Sequence, residues 1–254
     1  MNVFLYDKTF EGLLSAVFEA YRLKIFPELL LETNAPLPLF YDHTISIGTD
    51  EEKSGRVWKG LQKKLSGSAL SMLSVCWLSE LPEIDILLFR YIRKAIDSPI
   101  SIELNFGDPD VLELSKIWKK VDHERSRVIQ FTRFQKTADQ LFFAASKPLY
   151  NVLPLTITHF KDRFADQTWI VYDLKRDYGY YYDLSTVTEM QLDASFTQHY
   201  TNKLDEHLLA EDEKLFQKLW QEYFKSIAIK ERRNPKLHRQ FLPARFWKYL
   251  TEKQ

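Results

Sequence analysis

The chain has 254 residues, 45% of them hydrophobic and 28% charged, which suits a globular protein with a sizeable core and excludes a low-complexity or fibrous chain. Basic and acidic residues number 35 each, so the formal net charge is zero and no protein-wide basic field steers nucleic acid toward it. A single cysteine, Cys76, excludes a disulfide framework, a cysteine-rich zinc site and an iron–sulfur cluster held by several thiolates of this chain.

The chain opens β–α. "NVFLYD" reads as a first strand. Thr9 is the expected N-cap of a helix carrying Phe10, Leu13, Leu14, Val17, Phe18 and Tyr21 at helical spacing, with Glu11 in the first turn. "NAPLPLF" is a proline-broken connection and "DHTISIG" a short strand. Asp50 starts a helical region running to about Leu81, interrupted near "LSGSAL". Pro82 ends it, and "EIDILLFRYIRKAID" begins another helix. After the loop "SPISIELNFGDPD", Asp110 is the expected cap of the long amphipathic helix "VLELSKIWKKVDHERSRVI". Residues 51–128 thus read as a mainly helical insertion.

Beyond Ile129, "QFTRFQK" and "DQLFFAAS" read as two strands around a turn near Thr137–Asp139. "LPLTITHFKDRF" has a helical pattern. "QTWIVYDL" and "YGYYYDL" form another hairpin, and "TVTEMQL" adds a strand. An amphipathic helix is expected from Lys203, carrying Leu208, Phe216, Leu219, Trp220, Tyr223, Phe224 and Ile227. Pro235 and Pro243 divide the remaining tail, to residue 254, into short helical pieces. Segregated elements of this kind predict an α+β fold, an antiparallel sheet of hairpins packed with helices, within one domain.

The start of the sequence lacks the features of a signal peptide, and no segment has 18 uninterrupted apolar residues, so a cytoplasmic protein without a membrane span is expected. Phosphate-binding glycine loops, H-E-x-x-H and G-x-S-x-G are all lacking. No metal site or cofactor is expected. Two constellations carry possible chemistry. In the first, His159 and Arg163 share a helical face, while Asp173 and Arg176 flank a strand end and its turn. His159, Asp173 and Arg176 are the candidate acid, base and phosphate clamp; the alternative is a satisfied core or interface His159, with Arg163 paired locally to a carboxylate. The neighbouring Tyr178, Tyr180, Tyr181 and Tyr182 occupy both faces of a strand; one face, with Tyr178, Tyr180 and Tyr182 as the candidates, stacks on bases, or the strand is half core and half wet surface.

The second constellation is "KERRNPKLHRQFLPARFWKYL", residues 230–250, with seven Lys or Arg and one acid. Arg232, Arg233, Lys236, His238, Arg239, Arg245 and Lys248 are the candidate nucleic-acid contacts. Interleaved Phe241, Phe246, Trp247 and Tyr249 either stack on unpaired bases or pin the tail to the core. The alternatives to nucleic acid are a solvated face and an acidic protein partner.

Three segments, "FLYDKTFEGLLSAVFEAY", "PLYNVLPLTITHFKDRFADQTWIVYDLKRDYGYYYD" and "RRNPKLHRQFLPARFWKYL", together resemble a bacterial family of DNA-metabolism proteins of unassigned biochemical activity. Members occur beside a DNA-repair radical-SAM enzyme or fused to a uracil-DNA-glycosylase-like domain. The pattern covers Tyr6, Asp7, Phe10, Glu11 and Gly12, then His159, Trp169, Asp173, Arg176, Gly179 and Tyr182, then Asn234, Pro235, Arg239, Phe241 and Trp247. The family brings no active site to transfer. This chain has neither the glycosylase domain nor the cysteine triplet of the radical enzyme. The resemblance therefore implies an accessory protein of DNA repair or modification that binds DNA, single- or double-stranded, or the radical-SAM partner, or both. The alternatives are a nuclease- or glycosylase-like enzyme using His159, Asp173 and Arg176, and a protein-interaction module alone.

Overall fold

The computed structural model describes residues 1–193, 204, 208–232 and 234–253. They form two compact units, Met1–Asp122 and His123–Gln254. Among the described residues there are nine α-helices, a three-stranded parallel sheet and a mixed five-stranded sheet, an α+β protein.

In the first unit, β1 (Asn2–Tyr6) buries Val3, Phe4 and Tyr6. A strand buried on both faces needs such a nearly continuous apolar run, and β1 is the central strand. It pairs in parallel with β2 (Leu29–Glu32) and β3 (His43–Ser46), in the order β2-β1-β3. Thr9 caps α1 (Phe10–Leu23), its side chain accepting from the Gly12 backbone N–H at 2.9 Å. The helix ends at Lys24, whose backbone N–H donates to the Ala20 carbonyl from a left-handed conformation. Leu13, Leu14, Val17 and Ala20 are its buried stripe.

Asp50 caps α2 (Glu51–Gln62) and Ser66 caps α3 (Gly67–Trp77), each side chain accepting a backbone N–H from three residues on. The expected interruption falls between these two helices. Helices α4 (Ile84–Asp97) and α5 (Pro109–Phe131) follow, α5 running through the division between the units. The core of the helical part includes Leu61, Leu73, Leu88, Tyr91 and Ile92, all fully buried. The cap of α5 differs from expectation. Asp108, not Asp110, receives the first backbone N–H groups, from Asp110 at 2.8 Å and Val111 at 3.4 Å. Asp110 is thereby released to pair with Arg90 and Lys94.

In the second unit the sheet order is β4-β5-β6-β7-β8. The strands are β4 (Gln135–Lys136), β5 (Phe142–Ser146), β6 (Trp169–Asp173), β7 (Tyr178–Tyr182) and β8 (Val187–Met190). Every pair is antiparallel except β5 and β6, which are parallel and joined through α6 (Ile157–Arg163). All five residues of β6 are buried. Trp169 and Val171 face Leu153, Phe160 and Tyr182, while Ile170 and Tyr172 face Phe143 and Leu204. Truncating Phe160 or Trp169 to Ala would cost about 3–5 kcal/mol. The tail carries α7 (Glu213–Ser226), α8 (Pro235–Phe241) and α9 (Ala244–Trp247).

Several expectations are corrected. The purely antiparallel sheet gives way to one parallel sheet and one mixed sheet. Strand β2 escaped the sequence reading because "LLLE" has no alternation and no β-branched residue; its parallel pairing with β1 makes it a strand. Gln130 and Phe131 are the end of α5, not of a strand. The helix expected from Lys203 begins at Glu213. Lys203 lies outside the described residues, and the apolar Leu209 bridges Thr137 beside the sheet instead. Among the described residues no helix is long and apolar enough to cross a membrane.

Candidate nucleic-acid interface

Local chemistry shapes the tail. Asn234 caps α8, its Oδ1 accepting from the Leu237 N–H at 3.0 Å, and Pro235 occupies the first turn, where its missing N–H costs nothing. Pro243 then separates α8 from α9. The tail is held down from its far end. Phe246 and Leu250 are buried, and Phe246 packs on Phe131 at 5.3 Å between ring centroids. Glu252 accepts from Arg133 Nη2 at 2.8 Å and from Trp220 Nε1 at 3.0 Å. Burial works to raise the Glu252 carboxyl, but Arg133 and the other donors outweigh it and hold it below the usual range.

The structure divides the basic residues into two groups. Arg245 is structural: its guanidinium pairs with Glu124, a carboxylate only 1% exposed that also accepts the Leu149 N–H at 2.9 Å. Lys248 lies over the Tyr249 ring, with its ammonium lowered by burial and by Lys147. His238 stacks on Trp247 at 5.8 Å and 25°, and burial together with Lys253 lowers its basicity. By contrast Arg232, Lys236 and Arg239 are exposed, and among the described residues no carboxylate pairs with them. Arg233 lies outside the described residues.

The tail also holds a groove of about 630 Å³, and of these three cations Arg232 lines it. Phe224, Ala228, Ile229, Leu237 and Phe241 supply apolar lining, with Arg232, His238 and Lys253 around it. Phe241 is 67% exposed, so its ring is open to a ligand. Five lining residues, Phe224, Ala228, Ile229, Leu237 and Lys253, were not among the sequence candidates. Lys253 lies over the Phe224 and Trp247 rings at 5.3 and 5.5 Å. The only sequence cue in α8 was the i, i+4 pair Leu237 and Phe241.

The other constellation is split. Asp173 is fully buried at the end of β6. It accepts from Arg176 Nη1 at 2.7 Å and from the backbone N–H of Lys175 at 2.8 Å and of Arg176 at 3.3 Å. Arg176 also reaches the carbonyls of Pro148 and Leu149. The pair closes the β6–β7 turn onto that loop. Burial pushes the Asp173 carboxyl above the ordinary range despite these donors. His159 is exposed on α6, its ring against Phe160 at 5.7 Å. No hydrogen bond or ion pair among the described residues joins it to Asp173 or Arg176. Tyr182 is 3% exposed and faces Trp169 at 5.3 Å, a core residue whose ring is not available to a base. Tyr178 and Tyr180 are half-buried, with hydroxyls directed to Asn151 and Glu189. Among the described residues no group of three His, Cys, Asp or Glu side chains is placed to hold a metal ion.

A family model matches residues 82–252, well over half of the chain. The chain belongs to the DUF4130 family. That family is described as a domain of unknown function. The DUF4130 segment runs from the start of α4 into the tail and includes every candidate residue above; β1 and α1 precede it. No curated protein matches the chain, and no solved structure matches it.

Proposed function

We propose that this chain is an accessory protein of DNA repair or modification that binds DNA through the tail. The supporting observation is the set Arg232, Lys236 and Arg239, exposed and without a carboxylate partner among the described residues, with Arg232 lining an apolar groove. An exposed cation without a carboxylate partner exchanges counterions for phosphate at little cost, whereas Arg245 would have to abandon a buried charge. The apolar groove and the open Phe241 ring suit unpaired bases, so an unpaired strand is the favoured form. The DNA context itself comes from the sequence resemblance.

The test is titration of single- and double-stranded DNA across a salt series, with an Arg232→Ala/Lys236→Ala/Arg239→Ala variant alongside. Each single-strand phosphate contact contributes about 0.7 to the log–log salt slope, so losing three reduces it by about 2. No binding at low salt, or an unchanged slope in the variant, would reject the reading.

A partner protein is favoured by a different feature. Phe216, Leu219, Tyr223 and Ile227 form a stripe along α7, each at least half exposed. We assign this face to the radical-SAM repair partner. Co-purification that survives Phe216→Ser/Tyr223→Ser would exclude it.

A further inference from the structure

At the C-terminal end of the central strand β1 is a second cavity, of about 310 Å³, wholly within the first unit. Tyr6, Lys8, Trp77, Leu81, Ile84 and Asp85 line it. Ligand sites of parallel sheets lie at this end of their strands. The cavity is at the small end of the range for small-molecule sites, large enough for one ring system. We propose that it binds a single nucleobase, edge-on to the Lys8–Asp85 pair and against the face of Trp77.

The polar groups come from one buried cluster. Asp85 is 3% exposed in the first turn of α4. Its Oδ2 accepts from the Tyr6 hydroxyl at 3.0 Å and from the Lys8 ammonium, and its Oδ1 accepts from the Ile86 N–H at 2.9 Å. A carboxylate offers about four acceptor positions, so one remains on Oδ1. Lys8 donates to Asp85 and has further N–H groups. The cavity thus presents an acceptor next to a donor. A nucleobase edge offers the complement, an amino or imino N–H beside a ring nitrogen or carbonyl. The flat group in the lining is Trp77, whose ring also meets Phe10 at 5.7 Å between centroids, tilted by 58°. Base–aromatic contact is worth more on indole than on aliphatic surface.

Charge argues against phosphate as the ligand. Among the lining residues Glu80 and Asp85 are acidic and Lys8 is basic, so the lining carries more acid than base. Backbone conformation is also unusual here. Lys8 and Glu80 line the cavity, and both adopt left-handed conformations, at φ 57° and 51°. Non-glycine residues enter that region at a cost and concentrate at ligand sites. The Lys8 conformation turns its ammonium back over the Tyr6 ring, 5.4 Å from the centroid, and onto Asp85.

The experiment is saturation-transfer NMR on the full chain with cytidine, adenosine, ribose 5-phosphate and benzyl alcohol as separate probes. The two nucleosides are expected to bind with a Kd on the order of 1 mM, as suits a single small ring system. Their base protons should receive saturation, and ribose 5-phosphate and benzyl alcohol should not. Trp77→Leu and Lys8→Gln should each weaken nucleoside binding at least tenfold. Lys8→Gln disturbs a buried pair, so its melting temperature is recorded; Trp77→Leu, at a half-buried position, carries the test if Lys8→Gln unfolds. Absence of nucleoside binding, equal binding of benzyl alcohol or ribose 5-phosphate, or unchanged binding in Trp77→Leu would overturn the proposal. The Arg232→Ala/Lys236→Ala/Arg239→Ala variant should keep its nucleoside binding. This result separates the present site from the tail, and loss of the signal in that variant would place the nucleoside at the tail groove instead.

Discussion

Arg245 and Arg239 are six residues apart in one basic stretch, yet their removal should have opposite consequences. In Arg245→Ala the Glu124 carboxylate, 1% exposed, loses its guanidinium partner. Breaking a buried pair from one side costs about 3–5 kcal/mol. Two features reduce that figure: Arg245 is itself 32% exposed, and Arg127 remains 3.8 Å from Glu124. The Leu149 N–H also stays. About 2–3 kcal/mol is the expected loss. Arg239 has no carboxylate partner among the described residues, so Arg239→Ala should change stability by no more than about 0.5 kcal/mol. Urea denaturation followed by far-ultraviolet circular dichroism reads both. With m of about 3 kcal/mol/M, the Arg245→Ala midpoint should fall by about 0.7–1 M and that of Arg239→Ala by under about 0.2 M. Equal midpoints for the two variants, or a larger loss in Arg239→Ala, would refute the division of the tail into anchoring and free cations. Glu124→Gln should cost less than Arg245→Ala, because the Leu149 hydrogen bond persists and no charge is left buried.

Gly12→Ala should destabilise the first unit by about 1–2 kcal/mol: a Cβ there would stand 2.2 Å from Asp7 Oδ1 and 2.9 Å from Thr9 Oγ1, and losing the cap and an Asp7 hydrogen bond outweighs about 1 kcal/mol of helix propensity. Thermal melting of the purified variant reads this directly. Asp108 and Asp110 give the first unit an acid-sensitive contribution. Lys94 lies 2.7 Å from both carboxylates and pulls Asp108 below its usual range; burial works to raise Asp110, but Arg90 and Lys94 outweigh it. Depressed carboxyls stabilise the fold above about pH 3.9 and lose that contribution as pH falls through their lower folded values. Lys94→Met should therefore be less stable than the parent at pH 6, with the difference shrinking below about pH 4 in acid titrations of the denaturation midpoint. Cys76 is fully buried, its thiol pushed up to about 12 by burial, so a thiol reagent at pH 8 should label the folded protein only at the rate of unfolding. Rapid stoichiometric labelling without denaturant would contradict this.

Local signals in the amino-acid sequence determined much of the secondary structure. Thr9 and Asp50 were legible as helix starts because a cap depends only on neighbours three residues away. Pro235 and Pro243 were legible as breaks for the same reason. The alternating β7 strand and the apolar β6 run marked a hairpin. Strand β2 was not legible, because four residues with weak preference become a strand only when β1 supplies the partner. The parallel pairing of β5 with β6 likewise joins segments that are separated by α6.

The sites divide along the same line. Composition marked residues 230–250 as basic and aromatic, and these side-chain types suit phosphate and base wherever the chain places them. Which cations are free was decided only by tertiary structure, since Glu124 lies 121 positions from Arg245 and takes it out of the exposed set. Asp173 and Arg176, read from the sequence only as flanking a strand end and its turn, form an ion pair in the fold. His159, 14 positions before Asp173, stands apart, exposed on α6. The cavity beside β1 shows the limit most plainly: Asp85 meets Tyr6 across 79 positions, a contact that no local pattern encodes. Caps, breaks and charge clusters follow from near neighbours; partners of buried charges follow from the packing of distant ones.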